Sequence, residues 1–189
     1  MKDDEIYFFD PVEICMRPVS ADGYILDIGG GGEGMIGKLM GSCVVAIDCR
    51  EDELIEAPDG PLKIVMDARR LTFLDNTFSA ATAFFSLMYF DTEVDLQQAF
   101  TEAFRVLKPG GQFHVWDLDL AELPRTEKRV YAVRLKCVVH GMPCETAYGR
   151  PWPKGARDRN YYKSVAEGAG FQCLSTEVSG CTFHSIFQK

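Results

Sequence analysis

A run of glycines directly behind a short apolar segment is the feature that most constrains the fold of this chain. Residues 25–28 read Ile-Leu-Asp-Ile, and five of the next six residues are glycine, with Glu33 as the exception. Glycine tolerates positive φ and close backbone approach, which a tight turn from a strand into a helix over a ligand requires. The tract therefore predicts a strand, a ligand-binding turn and a helix, in that order.

Aspartates stand at the ends of this and the next two apolar runs. Asp48 and Asp67 each end a run, and Asp27 lies one residue before the end of the first. One aspartate at such a position is more often a helix cap than a ligand-binding residue. In open α/β sheets, however, ligands bind beyond the carboxyl ends of the strands. Three acids on consecutive strands therefore favour a binding site there.

Short apolar runs alternate with helix-like stretches along the chain, which predicts a parallel sheet with crossover helices. The periodicity places helices at residues 35–40, 94–107 and 159–169. It places strands at residues 24–28, 44–48, 62–66, 80–85, 112–118, 171–177 and 181–187.

Charge and cysteine content exclude several kinds of partner. The 28 acidic residues exceed the 20 basic ones, so the net charge is −8, whereas a nucleic-acid-binding protein would carry a basic patch. No apolar run approaches the length of a membrane span, and the acidic N-terminus does not resemble a signal peptide. The seven cysteines are odd in number and lack a Cys-x-x-Cys motif, which predicts reduced thiols. We therefore expect a cytoplasmic protein without nucleic-acid or membrane partners.

The glycine tract also matches a dinucleotide-binding fingerprint when it is read as Gly29-x-Gly31-x-x-Gly34. Asp48 lies 21 residues beyond Asp27, as a ribose-binding acid would. Two acids oppose this interpretation, because Asp27 and Glu33 lie where a pyrophosphate would need neutral donors. A cationic ligand would tolerate both acids. An NAD-dependent reductase remains an alternative function.

Four stretches carry a more specific indication than the glycines: Ile25–Gly31, Ala46–Asp48, Met66–Phe78 and Ala103–Gly111. Through them the chain resembles class I S-adenosylmethionine-dependent methyltransferases, in particular the small ubiquinone/menaquinone-biosynthesis-like type. The resemblance runs over about residues 20–118 and resumes at 159–187. It implies S-adenosylmethionine as cofactor and in-line methyl transfer to a small-molecule acceptor. A non-catalytic cofactor-binding regulator or partner protein is the alternative from another functional class.

The resemblance also implies which residues surround the cofactor. They are Asp27, Gly29 and Gly31 at the methionine part, Asp48 at the ribose hydroxyls, Cys49 at the adenine ring, Asp67 and Ala68 at the adenine amino group, and Phe85 and Ser86 at the methionine and the transferring methyl.

Methyl transfer from a sulfonium mainly requires alignment of the acceptor, which can lower a barrier by up to roughly 7–11 kcal/mol. Tyr89 is the candidate catalytic residue, because it follows the fourth strand at the cofactor end. It could equally pack within the aromatic run around Phe84 and Phe90. Asp117, at the end of the fifth strand, is a weaker candidate and could be a cap. His114 alternates with apolar neighbours and is expected in the core.

Residues 119–158 exceed what a simple crossover needs, and their alternating pattern predicts a β-hairpin. A two-residue turn at His140-Gly141 places Lys136 opposite Glu145 and Cys137 opposite Cys144. Pro143 requires the second strand to be an edge strand. The apolar face would either cover the cofactor cleft as a lid or pack on a twin in a homodimer through residues 129–148.

The two cysteines with His140 could suggest a metal site, but zinc would need a fourth ligand and none lies nearby. Free cysteines are readily buried as small apolar residues, so no metal is expected. The chain is thus predicted to be one domain over residues 1–189, an α/β, Rossmann-like seven-stranded sheet with an antiparallel last strand and helices on both faces. It divides into a cofactor-binding core (20–118), an insertion (119–158) and a closing helix with two strands (159–189).

Overall fold

A computed structural model describes residues 5–121 and 124–189. Its strands are β1 (Ile6–Phe8), β2 (Val12–Cys15), β3 (Ile25–Ile28), β4 (Val44–Asp48), β5 (Leu62–Val65), β6 (Phe78–Phe84), β7 (Leu107–Leu118), β8 (Val130–Val139), β9 (Met142–Pro151), β10 (Gln172–Ser179) and β11 (Thr182–Gln188). Its α-helices are α1 (Met35–Met40), α2 (Glu51–Glu56), α3 (Glu93–Val106) and α4 (Arg159–Gly168).

The larger sheet has seven strands in the described part of the chain, in the order β10-β11-β7-β6-β3-β4-β5. Neighbours from β7 to β5 run parallel, and β11 runs antiparallel to both β7 and β10. The central strands read as continuous apolar runs because helices cover both of their faces. The predicted mostly parallel sheet with an antiparallel last strand is confirmed.

Helices pack on both faces of this sheet, as predicted. On one face, α3 and α4 bury Leu96, Phe100 and Tyr162 in one apolar cluster. On the other face, α1 and α2 contribute Ile36 and Leu54 to a second cluster. Side-chain caps fix where the longer helices begin. The hydroxyl of Thr92 accepts the backbone N–H of Asp95, and the carboxylate of Asp158 accepts that of Tyr161.

The insertion after β7 folds as the predicted hairpin. Strands β8 and β9 pair antiparallel in the expected register, with Lys136 opposite Glu145 and Cys137 opposite Cys144. His140 and Gly141 both have positive φ, at 52° and 78°, as a primed two-residue turn requires. Strand β9 pairs only with β8 within the described residues, so Pro143 lies on an edge strand.

Two short N-terminal strands, which the sequence pattern did not predict, complete a second sheet. Strands β1 and β2 follow one another along the free edge of β8, both parallel to it, with Ile6 opposite Val130 and Val12 opposite Leu135. They thereby cover backbone groups that an exposed edge would offer to other chains.

The apolar face of β8 is buried within the chain itself. Its inward residues are Tyr131, Val133, Leu135, Cys137 and Val139, and they join the apolar cluster that contains α1 and part of β7. This arrangement places the hairpin over the larger sheet as a cover. A homodimer through residues 129–148 stays a prediction, and it would have to use the outward face of the hairpin.

Three further observations concern the chemical character of the chain. All seven cysteines lie in the described ranges and are free thiols. Residues 5–121 and 124–189 contain no group of three or more His, Cys, Asp or Glu side chains placed to hold a metal ion. Over the same residues, none of the helices combines the length and the apolar character needed to cross a membrane.

The burial of the hairpin within the protomer predicts a large cost for truncating its apolar face. Leu135→Ala should lower the free energy of unfolding by about 2–5 kcal/mol, because Leu135 is 1% exposed. Leu62→Ala is the matched control, since Leu62 is 59% exposed, and it should cost less than about 0.5 kcal/mol. Urea unfolding at two protein concentrations measures both. A small or concentration-dependent cost for Leu135→Ala would contradict packing within one chain.

Candidate functional site

A cavity of about 730 Å³ opens at the carboxyl ends of β3, β4, β5 and β6, beneath the inner face of β9. Its lining residues come from the loops after these strands and from the hairpin. They are Ile28, Gly29, Gly31, Gly32, Glu33, Ile47, Asp48, Cys49, Arg50, Glu53, Met66, Asp67, Ala68, Arg69, Phe84, Phe85, Ser86, Tyr89, Phe90, Asp91, Asp95, Ala147, Tyr148 and Gly149. Tyr89 and all the residues that the resemblance places around the cofactor line this cavity, except Asp27.

The glycine loop forms one wall, and its close contacts leave no room for side chains. A Cβ on Gly29 would lie 2.3 Å from Cβ of Ser86, and the φ of Gly29 is 73°. A Cβ on Gly31 would lie 2.5 Å from Cβ of Glu53 and 2.9 Å from Oδ2 of Asp48. These distances are shorter than van der Waals contact, so the loop backbone itself borders the cavity.

Asp48 and Cys49 lie side by side where β4 ends. The Asp48 carboxylate is partly exposed and accepts the backbone N–H of Arg50 at 2.9 Å. Its other oxygen faces Gly31. Burial and the neighbouring Asp48 carboxylate raise the pKa of the Cys49 thiol. Asp48 therefore retains an oxygen that can accept hydrogen bonds from a ligand.

Asp67, in contrast, is already engaged. Arg69 donates to it from Nε at 3.0 Å and from Nη2 at 2.6 Å, and Arg69 also pairs with Asp95 at 2.8 Å. The hydrogen bonds from Arg69 lower the pKa of the Asp67 carboxyl. A ligand amino group at Asp67 would have to share the carboxylate with Arg69, and the sequence pattern did not reveal this pairing.

Asp27 lies under the glycine loop and is not among the residues that line the cavity, whereas the resemblance places it at the methionine part of the cofactor. It is 2% exposed, and a Cβ on Gly30 would lie 2.6 Å from its Oδ2. The Thr82 hydroxyl donates to its Oδ1 at 2.7 Å. Burial raises the pKa of Asp27 from 3.8 to about 7, against the opposing effect of this hydrogen bond. The strand pleat explains the difference, because Asp27 precedes the last residue of β3.

Phe85 and Ser86 form the part of the wall that follows β6. Phe85 has a φ of 52°, which is uncommon for a bulky residue and is a local strain. This backbone turns its ring against Tyr148 of β9, with ring centroids 5.2 Å apart and an interplanar angle of 11°. Ser86 donates its hydroxyl hydrogen to the carbonyl of Ile28 at 2.5 Å. The β6 loop is thus tied both to β3 and to the hairpin.

Arg150 of β9 fastens the hairpin to the loop that carries Tyr89. Its guanidinium donates to the carbonyl oxygen of Met88, to that of Phe90 at 3.3 Å and to the carboxylate of Asp91 at 2.8 Å. Tyr89 itself is half exposed at the cavity, and burial is the largest cause of its raised pKa. Its phenol is therefore protonated at neutral pH and has a hydrogen to donate to a ligand.

The other candidates lie outside this cavity. Asp117 is buried beneath the Tyr89 loop, where it accepts the Tyr162 hydroxyl at 3.1 Å, and burial raises its pKa to about 7. His114 is a core residue, as expected from the sequence. It lies within hydrogen-bonding distance of His184, whose ring stacks on Trp116 at 3.9 Å. Burial lowers the pKa of both histidines to about 4, so both are neutral at pH 7.

The electrostatic character of the cavity is acidic. Six carboxylates and two guanidiniums line it within the described residues, which leaves four net negative charges. Both guanidiniums are paired, Arg50 with Asp52 and Glu53, and Arg69 with Asp67 and Asp95. A bound molecule with positive charge would therefore be favoured over an anion.

Several lining residues were not anticipated from the sequence. Glu53 lies on a helix of only six residues, and Tyr148 reaches the cavity from the hairpin. The sequence offers an indication for Tyr148, because it begins the stiff aromatic segment Tyr148–Pro153, which suits a pocket wall or a surface loop.

The family model of a methyltransferase domain matches residues 26–115. Over 55 residues the chain is 42% identical to the sterol 4-C-methyltransferase strm-1 of Caenorhabditis elegans, a match that covers 29% of this chain. The match spans only 16% of the length of that relative.

Solved structures resemble most of the chain. The PH0226 protein of Pyrococcus horikoshii is 24% identical, with a TM-score of 0.62 over 88% of this chain and 82% of that one. A protein of Thermotoga maritima, described as an S-adenosylmethionine-dependent methyltransferase and possible histamine N-methyltransferase, is 18% identical. Its TM-score is 0.64 over 90% of this chain and 84% of that one. At these identities the likeness shows the shared fold.

The burial of Asp27 predicts a specific dependence of stability on pH. An unfolded aspartate loses its proton near pH 4, whereas folded Asp27 keeps its proton up to about pH 7. The free energy of unfolding should therefore fall as pH rises from about 4 to about 7, by up to about 1.4 kcal/mol per pH unit.

Asp27→Asn removes this titration. The free energy of unfolding of the variant, measured relative to that of the wild type, should therefore increase as the pH rises over that range. Urea unfolding at several pH values measures it, with Asp59→Asn, an exposed loop residue, as control. Parallel profiles for Asp27→Asn and the wild type would show that the Asp27 carboxyl titrates like an exposed one.

Proposed function

Because the chain belongs to the class I S-adenosylmethionine-dependent methyltransferases, with S-adenosylmethionine as its cofactor, we propose that it transfers the cofactor's methyl group to a small-molecule acceptor by in-line displacement. One observation carries the proposal. The glycine loop, Asp48 and the Phe85-Ser86 turn border a single cavity at the carboxyl ends of the strands. The ubiquinone/menaquinone-biosynthesis-like subtype stays a prediction.

The cavity supports the following placement of the cofactor. The methionine part lies against the backbone of Gly29 and Gly31, with Asp27 supporting the loop from beneath. Asp48 accepts from the ribose hydroxyls with its free oxygen. The remaining contacts are those implied by the resemblance, at Cys49, Asp67, Ala68, Phe85 and Ser86. The net negative lining favours a cationic cofactor.

The same lining argues against the NAD-dependent reductase. A pyrophosphate beside the glycine loop would lie close to Glu33, Asp48 and Glu53, and the cationic partner nearest to them, Arg50, is already paired. Anions bind where neutral or positive donors converge, and this loop presents carboxylates instead. Calorimetry that showed NAD binding and no binding of S-adenosylhomocysteine would reverse this assignment.

The cofactor supplies an electrophilic methyl group on a sulfonium, and the chain holds the acceptor in line with it. Phe85 and Tyr148 wall the site with stacked rings, and the hairpin excludes water from above. Tyr89 is placed to donate a hydrogen bond to the acceptor from the half-exposed edge of the cavity. Because its phenol stays protonated, Tyr89 orients the acceptor and does not remove a proton from it.

The acceptors named for similar proteins differ in kind. One name specifies a sterol carbon and the other the nitrogen of histamine. Both support a small-molecule acceptor without selecting its class. A cytoplasmic location, consistent with seven unpaired thiols, belongs to the same proposal, as does the absence of nucleic-acid partners.

The ribose contact provides a test of the cofactor site. Asp48→Ala should weaken S-adenosylhomocysteine binding by about 1–3 kcal/mol through the loss of charge-assisted hydrogen bonds. Isothermal titration calorimetry measures the change, and Asp59→Ala, an exposed acid outside the cavity, should leave the affinity within about twofold of wild type. Unchanged affinity in Asp48→Ala would remove that residue from the site.

Turnover distinguishes the enzyme from a non-catalytic cofactor-binding partner. S-Adenosylhomocysteine release is measured with S-adenosylmethionine and a panel of small metabolites. At least one acceptor should increase release above background. Tyr89→Phe should reduce that rate up to about 10-fold, because a neutral hydrogen bond contributes about 0.5–1.5 kcal/mol. The affinity of the Tyr89→Phe variant for S-adenosylhomocysteine should equal that of the wild type. Cofactor binding without release on any acceptor would favour the non-catalytic alternative.

A further inference from the structure

Glu33 stands apart from the other acids of the cavity. Each of the other five carboxylates accepts a hydrogen bond or ion pair, from Arg50, Arg69 or Arg150. Glu33 has neither among the residues that the structure describes, although it lines the cavity and is exposed to it. It therefore offers an uncompensated negative charge at the mouth of the site.

Two tyrosine rings line the same cavity as this charge, Tyr148 from β9 and Tyr89 from the loop after β6. Burial raises the pKa of both phenols, and the negative charge of Glu33 adds to the increase, most clearly at Tyr148. The Tyr148 ring is stacked on Phe85 and held in place by that contact. A carboxylate together with the faces of aromatic rings is the combination that binds organic cations, by charge and by cation–π attraction.

An uncharged side chain that can accept a hydrogen bond lies on the inward face of β9, the face that also carries Tyr148. The Thr146 hydroxyl is 7% exposed and lies against Tyr148. Its oxygen nevertheless has no partner with hydrogen-bond geometry within the described residues. A buried hydroxyl without a hydrogen-bond partner lowers the stability of the fold, and an N–H or O–H group that reached it would remove this cost. Thr146 is not among the residues that line the cavity, so its hydroxyl lies beside the Tyr148 ring and not in the site itself.

An anionic acceptor molecule has no matching group in this cavity. The two lining guanidiniums, Arg50 and Arg69, are both engaged in ion pairs with carboxylates. Arg150, from β9, is committed to the Tyr89 loop and Asp91. A carboxylate or phosphate would therefore enter a region of net negative charge without a free cation to receive it.

We propose that the methyl acceptor is a small organic amine, bound between Glu33 and the rings of Tyr148 and Tyr89, and that the reaction is N-methylation. This assignment rests on the proposed function, since it concerns the acceptor end of the same cavity. The amine binds as an ammonium or as the neutral amine, and only the neutral form has the lone pair that reacts.

The chemical step is balanced without any further reagent. The nitrogen lone pair forms the N–C bond while the C–S bond breaks and its electron pair goes to sulfur. The positive charge thereby moves from sulfur to nitrogen, and the methylated ammonium then loses its proton to solvent. Glu33 stabilises the charge on nitrogen as it develops, which is a transition-state interaction as well as a binding one.

The test uses three probes that share one aromatic skeleton: 2-phenylethylamine, 2-phenylethanol and 3-phenylpropionate. Each is titrated calorimetrically into the protein saturated with S-adenosylhomocysteine. The amine should bind at least 10-fold more tightly than the alcohol or the carboxylate. With S-adenosylmethionine present, mass spectrometry should detect the N-methylated amine.

Variants assign the preference to named groups. Glu33→Gln keeps the side-chain shape and should weaken amine binding about 10-fold while leaving the alcohol within twofold. Glu56→Gln, an exposed acid on α2 outside the cavity, is the matched control and should change neither. Tyr148→Phe should retain the preference because the ring remains, whereas Tyr148→Leu should lose most of it.

The outcomes separate this inference from the proposed function. Failure of the wild type to bind S-adenosylhomocysteine would contradict the cofactor assignment itself. If S-adenosylhomocysteine binds, the amine inference is overturned by an alcohol or carboxylate that binds as tightly as the amine. It is likewise overturned by an unchanged preference in Glu33→Gln, or by the absence of binding for all three probes.

Discussion

The contact between the glycine loop and the residues beyond the neighbouring strands is the constraint on which the site depends. Gly29 meets Ser86 and Gly31 meets Asp48 and Glu53 at distances that exclude a Cβ. These contacts bring the ends of β3, β4 and β6 and the helix α2 around one cavity. Because the loop lies directly on Asp27, the same packing buries that carboxyl and raises its pKa. The cavity and the buried acid beneath it follow from one arrangement of backbone.

Much of the larger sheet could be predicted because its signals are local. Apolar runs that end in Asp48 and Asp67, and amphipathic spacing in α3, depend only on neighbouring residues. Strands β1 and β2 were missed because they have three and four residues and gain their stability from pairing with β8, far away in sequence. The hairpin register was predictable because its turn and its opposed charges lie within one short segment.

For the site, the sequence indicated which residues converge, but not which ion pairs and packing contacts each of them makes. Strand topology brings Asp48, Asp67 and Phe85 to one edge, so their convergence could be predicted. The ion pair between Asp67 and Arg69 depends on side-chain directions. The stacking of Tyr148 on Phe85 depends on packing between segments that are far apart in sequence. The sequence showed Glu33 as the exception in the glycine run and as an acid unfavourable to a pyrophosphate, but not which residues share the cavity with it. Tyr148, which lines the same cavity as Glu33, comes from β9, a strand far from Glu33 in sequence.

We propose that one cavity holds the cofactor and presents its methyl group to the space between Glu33 and the hairpin. A crystal structure of the complex with S-adenosylhomocysteine tests it most directly. The account predicts the ribose at Asp48, the sulfur beside Phe85 and Ser86, and open space beyond the sulfur bordered by Glu33, Tyr89 and Tyr148. A complex with the ligand outside this cavity, or with the sulfur directed away from the hairpin, would contradict it.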